Sequence, residues 1–193
     1  MCGRYRFTAE QSAEILRIIR EVELRCGRGH WHPGEIYPSA KAPVLLKSAG
    51  ETTADLMRWG YKFPSGLVIN ARAETAMEKP LFRDSVIYRR CVIPSTGFFE
   101  WDVTKRKYLF TLPGEKLLYM AGLYNKRDGE NCYCILTTAA NESMRPIHDR
   151  MPLVLTTDQC QEWLEDNDAS ASILTMIPPL LEHADVTPQM RLW

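Results

Sequence analysis

The chain has 193 residues, of which 45% are hydrophobic and 25% are charged, and its 24 basic and 24 acidic side chains cancel. This length and composition are typical of one globular domain with a sizeable core, so residues 1–193 are expected to form a single domain. The sequence has no apolar stretch of membrane-spanning length and charged residues interrupt its N-terminus, which excludes a membrane protein or a signal peptide and predicts a cytoplasmic location.

The first predicted element is a helix from about Ala9 to Arg25. Thr8 and Gln11 have the spacing of a capping box with Thr8 as the N-cap, and isoleucines then recur at helical intervals. The next segment, His30 to Pro43, is rich in Pro, Gly and polar residues and is predicted to be a loop.

A series of short runs of β-branched, leucine and aromatic residues then alternates with turn residues, which predicts strands. The dipeptides Pro113-Gly114 and Asp128-Gly129 predict hairpin turns. The predicted strands are Val44–Lys47, Leu67–Asn70, Arg90–Pro94, Phe98–Val103, Tyr108–Leu112, Leu117–Tyr124, Cys132–Thr138 and Leu153–Thr156.

A second helix is expected to start at Thr156 or Thr157 and to carry Cys160, Trp163 and Leu164 on one face. The tail beyond it is expected to be irregular, with one more short strand. Together these elements predict an α+β fold, a single domain with a largely antiparallel, barrel-like β-sheet and a few flanking helices.

The six cysteines show no zinc-binding pattern, because a single residue separates Cys132 from Cys134. Buried free thiols are expected for Cys91, Cys132, Cys134 and Cys160 in a reducing compartment. Neither a metal nor another cofactor is expected.

Charge is distributed unevenly along the chain. Arg58–Lys107 contains ten basic and five acidic residues, whereas Asp158–Trp193 contains seven acidic residues and one arginine. This pattern would suit an anionic ligand bound on one face, although on charge alone a patchy solvated surface is the favoured explanation.

Cys2 directly follows Met1. If Met1 is removed, Cys2 carries a thiol and a free α-amine on adjacent carbons. The amine can condense with an aldehyde to a Schiff base, and the thiol can then close a five-membered thiazolidine ring. Taken alone, an accidental cysteine at the start site is the simpler explanation.

Asn70-Ala71-Arg72-Ala73-Glu74 follows a β-run, and strand alternation would place Asn70, Arg72 and Glu74 on one face, as in a polar cleft. Arginine there suits a phosphate or a carboxylate. An ordinary half-exposed strand is the alternative for Arg72 and Glu74, and a weaker one for Asn70, because asparagine is disfavoured in strand interiors.

Two further residues are candidates for proton transfer. Glu100 lies between Phe99 and Trp101, and a carboxylate in an aromatic setting is typical of a general acid/base, although an edge-strand glutamate facing water fits the same pattern. His148 has Asp149 beside it, which could orient or charge the imidazole, but a lone histidine beside a strand is more often structural.

Four motifs combine these residues: Cys2-Gly3-Arg4, Asn70-Ala71-Arg72-Ala73-Glu74-Thr75, Gly97-Phe98-Phe99-Glu100-Trp101 and Ile147-His148-Asp149-Arg150-Met151-Pro152. In this order and rough spacing the chain resembles the SOS response-associated peptidase (SRAP) family, whose members are sensors of abasic sites in single-stranded DNA. The resemblance runs from Cys2 to about Leu155, and more loosely to the end.

The resemblance implies a role in the DNA damage response. Cys2, exposed by loss of Met1, would form a thiazolidine crosslink with the aldehyde of an abasic site. Asn70 would hydrogen-bond sugar-derived atoms, Glu100 would transfer protons, and His148 would assist as a second acid/base near the 3′ phosphate. Crosslink reversal, weak strand scission (lyase activity) and self-removal of Met1, the peptidase of the family name, are also implied.

The implied partner is single-stranded DNA containing abasic sites, with no membrane involved, a monomeric protein, and association with the nucleoid when bound to damaged DNA. Phosphate contacts would come from basic residues, and unstacked bases would pack against a proline and a tryptophan. The expected phosphate-binding residues are Arg4, Arg72, Lys79 and Arg83, and the expected base-packing residues are Pro38 and Trp59.

Two alternatives use the same sequence features. One is a cysteine peptidase of the N-terminal-nucleophile type, in which Cys2 attacks peptide bonds with help from Glu100 or His148. The other is a non-catalytic single-stranded DNA-binding module in which Cys2 is incidental. A metal enzyme is the least expected class, because the sequence shows no ligand set.

Overall fold

The computed structural model describes residues 2–8 and 12–188, which form four helices and fifteen strands. The helices are α1 (Ala13–Cys26), α2 (Arg83–Tyr88), α3 (Thr157–Glu165) and α4 (Asn167–Ile173). The strands are β1 (Tyr5–Phe7), β2 (Gly34–Ile36), β3 (Lys41–Ser48), β4 (Glu51–Trp59), β5 (Tyr61–Phe63), β6 (Gly66–Val68), β7 (Asn70–Arg72), β8 (Arg90–Ser95), β9 (Gly97–Trp101), β10 (Lys107–Thr111), β11 (Leu118–Arg127), β12 (Glu130–Ala139), β13 (Arg150–Pro152), β14 (Val154–Leu155) and β15 (Glu182–Asp185).

Five strands close into a barrel in the order β12-β4-β3-β8-β11, because β11 also pairs with β12. Neighbouring strands are antiparallel except for β12 and β4, which run parallel. Outside the ring, β7 runs parallel to β12, while β13 and β14 pair with β12 and β11. The predicted α+β fold with a largely antiparallel, barrel-like sheet is therefore confirmed.

A second sheet, entirely antiparallel, has the order β15-β10-β9-β1-β2. The barrel strand β8 continues through Thr96 into β9, so the two sheets are joined at this point. Phe98 and Phe110 stack across β9 and β10 with ring centroids 5.2 Å apart. This sheet positions the N-terminal residues, because β1 is held between β9 and β2.

Amphipathic helices cover the barrel. Helix α1 buries Ile15, Ile18 and Val22 and packs against β3 and β4. Helix α3 packs on β8, where Trp163 donates a hydrogen bond from Nε1 to the Cys91 carbonyl at 3.0 Å. Burial of a large apolar side chain contributes about 1.5–3 kcal/mol. Within the described residues, no helix has the length and apolar character needed to cross a membrane.

All eight predicted strands coincide with observed strands, although Leu67–Asn70 is divided between β6 and β7. The helix at Thr157 is confirmed with a complete capping box at Thr156, and β15 is the short strand expected in the tail. All six cysteines are free; of the four expected to be buried, only Cys160 is partly exposed.

Several elements differ from the prediction. The expected loop His30–Pro43 contains β2 and the start of β3. Strand β4 was not predicted, because its first residues are polar and do not show the alternation of a barrel strand. Helix α1 begins at Ala13 with Ser12 at the N-cap, while Thr8 follows β1 and its hydroxyl lies 3.1 Å from that of Thr96. The other half of the expected capping box, Gln11, lies outside the described residues.

The two predicted hairpin turns have different outcomes. Asp128 and Gly129 have φ angles of 49° and 86° and join the paired strands β11 and β12, as predicted. Pro113-Gly114 instead connects β10 to β11, which belong to different sheets. In both cases the turn residues correctly indicated where the chain reverses. The flanking strands pair with each other only where both belong to the same sheet.

Candidate active site

Cys2 lies three residues before β1, in the segment that runs alongside the end of β9. The pairing of Tyr5 with Phe98 continues through a hydrogen bond from the Phe99 amide to the Arg4 carbonyl at 2.9 Å. Continuing this register places Glu100 opposite Gly3, one residue from Cys2. The N-terminal motif and the Glu100 motif, about 95 residues apart in the sequence, therefore meet at one site.

Asn70, the first residue of β7, holds the backbone of Cys2. Its Nδ2 donates a hydrogen bond to the Cys2 carbonyl at 2.9 Å. The Asn70 Oδ1 is buried and has no hydrogen-bond partner among the described residues, which leaves an acceptor for a ligand hydroxyl or amine. The side chain thus fixes Cys2 and offers a second polar atom to a ligand.

The Cys2 side chain is 0% exposed. Burial raises the pKa of its thiol, and the nearby negative charge of Glu100 raises it further, so the thiol is protonated at neutral pH. A weak hydrogen bond directs Sγ to the Arg4 carbonyl at 3.8 Å. A neutral thiol needs a base before it can act as a nucleophile.

Glu100 is 4% exposed and lies on β9, which is flanked by β1 and β10. The alternative of an edge-strand glutamate facing water is therefore wrong. Because Phe99 and Trp101 project from the opposite face of β9, Glu100 faces inward. Its negative charge lies close enough to Cys2 to raise the pKa of the thiol.

His148 lies on the loop before β13. The central strand β12 pairs with β7 on one edge and with β13 on the other, at Thr137 with both. Strand β12 therefore lies between β7, which begins with Asn70, and β13, which follows His148. The structure brings Cys2, Asn70 and Glu100 together, and the His148 segment lies on the other side of β12.

Glu74 and Arg150 connect these segments across β12. Arg150 donates two hydrogen bonds to the Glu74 carboxylate, at 2.5 and 2.9 Å, and one to the Thr137 carbonyl at 2.7 Å. The hydrogen bonds from Arg150 hold the pKa of Glu74 below its ordinary value. The expectation that Glu74 shares a strand face with Asn70 and Arg72 is wrong, because β7 ends at Arg72 and Ala73–Thr75 form a 3₁₀ turn.

A groove beside Asn70 contains two of the residues expected to bind phosphates, Arg72 and Lys79. Both are exposed, and mostly apolar side chains form the remaining wall. Arg83, at the start of α2, is also exposed and lies 3.7 Å from Asp84. The groove therefore combines cations with an apolar surface next to the Cys2 cluster.

Arg4 projects from the face of the second sheet opposite the one that carries Glu100. Its guanidinium lies 4.2 Å from the ring centroid of Tyr37 and 5.2 Å from that of Trp101, and 3.4 Å from the Glu35 carboxylate. Tyr37 and Trp101 were not predicted as site residues. The alternation within Gly97–Trp101 could have indicated Trp101, because it places this side chain opposite Glu100. Pro38, next to Tyr37, is partly buried.

The prediction that Trp59 packs against unstacked bases is wrong, because its ring is not accessible to DNA. Its side chain is 0% exposed, and its Nε1 donates to the Ile69 carbonyl at 3.0 Å. The ring packs edge-on against Tyr5, with centroids 5.2 Å apart, and parallel to Tyr133 at 6.4 Å. Trp59 instead supports β1 from inside the fold.

Comparison with known proteins identifies relatives. The family model described as SOS response associated peptidase (SRAP) matches residues 1–190. The chain is 33% identical over 191 residues to the Abasic site processing protein YoqW of Bacillus subtilis, covering 90% of this chain and 84% of that protein. It is 25% identical over 177 residues to the Abasic site processing protein YedK of Escherichia coli, covering 85% and 79%.

Two solved structures share the fold. A protein from Bacteroides thetaiotaomicron superposes with a TM-score of 0.75 at 25% identity, covering 96% of this chain and 92% of the other. A protein from Bordetella bronchiseptica gives a TM-score of 0.75 at 22% identity, covering 97% and 100%. The barrel and its flanking sheet are thus shared by proteins with low sequence identity.

Proposed function

Because this chain belongs to the SOS response associated peptidase (SRAP) family, we propose that it processes abasic sites in single-stranded DNA by forming a covalent crosslink through Cys2. Relatives that cover most of the chain are named abasic site processing proteins. The observation that carries the proposal is the hydrogen bond from Asn70 to the Cys2 carbonyl beside the buried Glu100.

The proposed reaction begins with hydrolysis of the bond between Met1 and Cys2, which the protein performs on itself. The freed α-amine attacks the aldehyde carbon of the ring-opened sugar and, with loss of water, gives an imine. Sγ then bonds to the imine carbon, and the thiol proton passes to the nitrogen. The product is a five-membered thiazolidine, and no oxidant, reductant or metal is needed.

The side chains around Cys2 suit these steps. Glu100 accepts the proton of the buried, neutral thiol and returns it to nitrogen, and by microscopic reversibility it supports crosslink release. Asn70 keeps the Cys2 backbone fixed and offers its unpartnered Oδ1 to a sugar hydroxyl. The imine intermediate also permits β-elimination, so weak strand scission accompanies crosslinking.

The DNA strand is proposed to run through the groove beside Asn70. Arg72 and Lys79 would contact phosphates, and no base-edge contacts are required, because the lesion lacks a base. The absence of net charge is consistent with modest, salt-sensitive affinity, with persistence supplied by the covalent bond. We propose that the protein acts as a monomer.

The test is intact mass spectrometry of the purified protein before and after incubation with a single-stranded oligonucleotide carrying one abasic site. We expect loss of Met1 and an adduct equal to the oligonucleotide mass minus one water. Cys2→Ala should form no adduct, whereas Cys160→Ala should react like the wild type, and an undamaged oligonucleotide should give none.

Two results would redirect the interpretation. A processed wild-type protein without an adduct would overturn the proposal and leave a peptidase of the N-terminal-nucleophile type as the next candidate. Retention of full abasic-DNA binding by Cys2→Ala together with no adduct from the wild type would instead indicate a non-catalytic binding module.

A further inference from the structure

One face of the second sheet carries a cluster of charged and aromatic side chains close to the N-terminus. We call it the outer cluster, and its members are Arg4, Glu35, Tyr37, Trp101 and Lys107. Glu35 Oε1 lies 2.8 Å from Lys107 Nζ, and Glu35 Oε2 lies 3.4 Å from Arg4 Nη1. The Tyr37 hydroxyl donates a hydrogen bond to the same Oε2 at 3.2 Å. One carboxylate therefore links two cations from distant positions in the sequence.

Aromatic rings also hold the two cations in place. The Arg4 guanidinium lies 4.2 Å from the ring centroid of Tyr37 and 5.2 Å from that of Trp101. Lys107 Nζ lies 3.9 Å from the ring centroid of Phe99. These cation–π contacts do not depend on the carboxylate, because the ring quadrupole supplies the attraction. Both cations would therefore keep their positions if the carboxylate moved away.

The link through Glu35 can be exchanged for another anion. The side chains of Glu35 and Arg4 are 33% and 30% exposed, so water screens their attraction, and ion pairs of this kind contribute little to stability. Burial opposes ionisation of Glu35, but the hydrogen bond and charge of Lys107 hold its pKa below the ordinary value, so it is an anion at neutral pH. Arg4 Nε is buried and has no hydrogen-bond partner among the described residues, which leaves this guanidinium with an unused donor.

We propose that Glu35 is an internal competitor of DNA: in the DNA-free protein it occupies the place of a backbone phosphate of an undamaged nucleotide, which Lys107 and Arg4 bind once Glu35 is displaced. A phosphodiester presents a single negative charge and two acceptor oxygens, as a carboxylate does, so the cations are paired before and after the exchange. Arg4 lies two residues from Cys2, so the outer cluster adjoins the reaction site. The inference rests on the proposed function, because single-stranded DNA is the ligand, and it adds Glu35 and Lys107 to the residues that control binding.

The first test is the affinity of Glu35→Gln for an undamaged single-stranded oligonucleotide, measured by fluorescence anisotropy. Removing the competing charge should tighten binding about threefold or more at low salt, and this gain should shrink as salt screens the exposed charges. Glu51→Gln is the matched control, since Glu51 is an exposed glutamate at the start of β4 and its substitution changes the net charge equally. It should bind like the wild type.

The second test removes the lysine. Methionine keeps an apolar chain of similar length over the Phe99 ring but has no charge, so Lys107→Met should weaken binding about threefold or more while the fold is retained. The double variant Glu35→Gln/Lys107→Met should gain less over Lys107→Met than Glu35→Gln gains over the wild type, because one of the two masked cations is then missing. Urea unfolding checks the stability of each variant.

Unchanged or weaker binding by Glu35→Gln would overturn the inference, and so would unchanged binding by Lys107→Met. A wild type that binds the undamaged strand but forms no crosslink at an abasic site would overturn the proposed crosslinking alone, because this affinity does not depend on the Cys2 reaction. A wild type that binds no single-stranded DNA would overturn both. The failures of the inference and of the proposed function are therefore distinguishable.

Discussion

At the scale of single residues, the residues around Cys2 determine the exposure and the protonation of its thiol. The sequence identified the thiol and the adjacent amine, but the fold makes the thiol 0% exposed and places it near Glu100. A buried neutral thiol is protected from alkylation and oxidation until a base is engaged, because the thiolate is the reactive form. The proposed reaction is thereby limited to a ligand that enters the site.

Alkylation should reveal this protection in protein that retains Met1. At pH 7.5, iodoacetamide should modify the partly exposed Cys26 at least about tenfold faster than Cys2, since each unit by which a pKa is raised lowers the thiolate fraction tenfold. Raising the pH to 9.5 should increase the Cys2 rate without a plateau. Peptide mass spectrometry measures both sites, and equal rates would contradict the assignment.

At the scale of elements, β1 is anchored to the barrel by a buried pair of hydroxyls. The Tyr5 and Tyr133 oxygens are 2.6 Å apart, and burial raises the pKa of both groups. Trp59 packs against both rings. This block links β1, which follows the Cys2 segment, to β12, whose edge pairs with β7 and Asn70.

Tyr133→Phe should lower the free energy of unfolding by about 1–3 kcal/mol, because the Tyr5 hydroxyl would remain buried without this partner. The double variant Tyr5→Phe/Tyr133→Phe should recover part of the loss, since both polar groups are then removed. Urea unfolding of Tyr5→Phe, Tyr133→Phe and the double variant measures this difference. A loss of unfolding free energy in the double variant equal to or greater than the sum of the two single losses would contradict the pairing.

At the scale of the whole molecule, the charged residues are unevenly distributed along the chain although their charges cancel. The chain has no net charge, yet ten basic and five acidic residues lie in Arg58–Lys107, which supplies Arg72 and Lys79 to the groove beside Asn70. Non-covalent affinity for single-stranded DNA should therefore depend on a few phosphate contacts and fall with salt.

Lys79→Ala should weaken binding of an undamaged oligonucleotide and reduce the slope of log affinity against log salt by about 0.7, the loss of one phosphate contact on a single strand. Lys126→Ala, an exposed lysine on β11, is the matched control and should leave the slope unchanged. Fluorescence anisotropy at several salt concentrations measures both. Equal slopes for wild type and Lys79→Ala would remove Lys79 from the DNA path.

The sequence by itself determined the elements whose patterns are local: the predicted strands, the helix that begins at Thr157, the Asp128-Gly129 turn, and the order of the four motifs. Each depends on residues a few positions apart, so periodicity and turn chemistry are sufficient to predict it. The fold class followed from the succession of these elements.

Only the tertiary structure decided which motifs meet and which side chains remain accessible. Asn70 holds Cys2 across 68 positions, and Arg150 binds Glu74 across 76. Trp59 is enclosed by Tyr5 and Tyr133, which lie far from it in the chain. Burial and pairing of this kind arise from contacts between distant residues, and local sequence preferences contain no information about them.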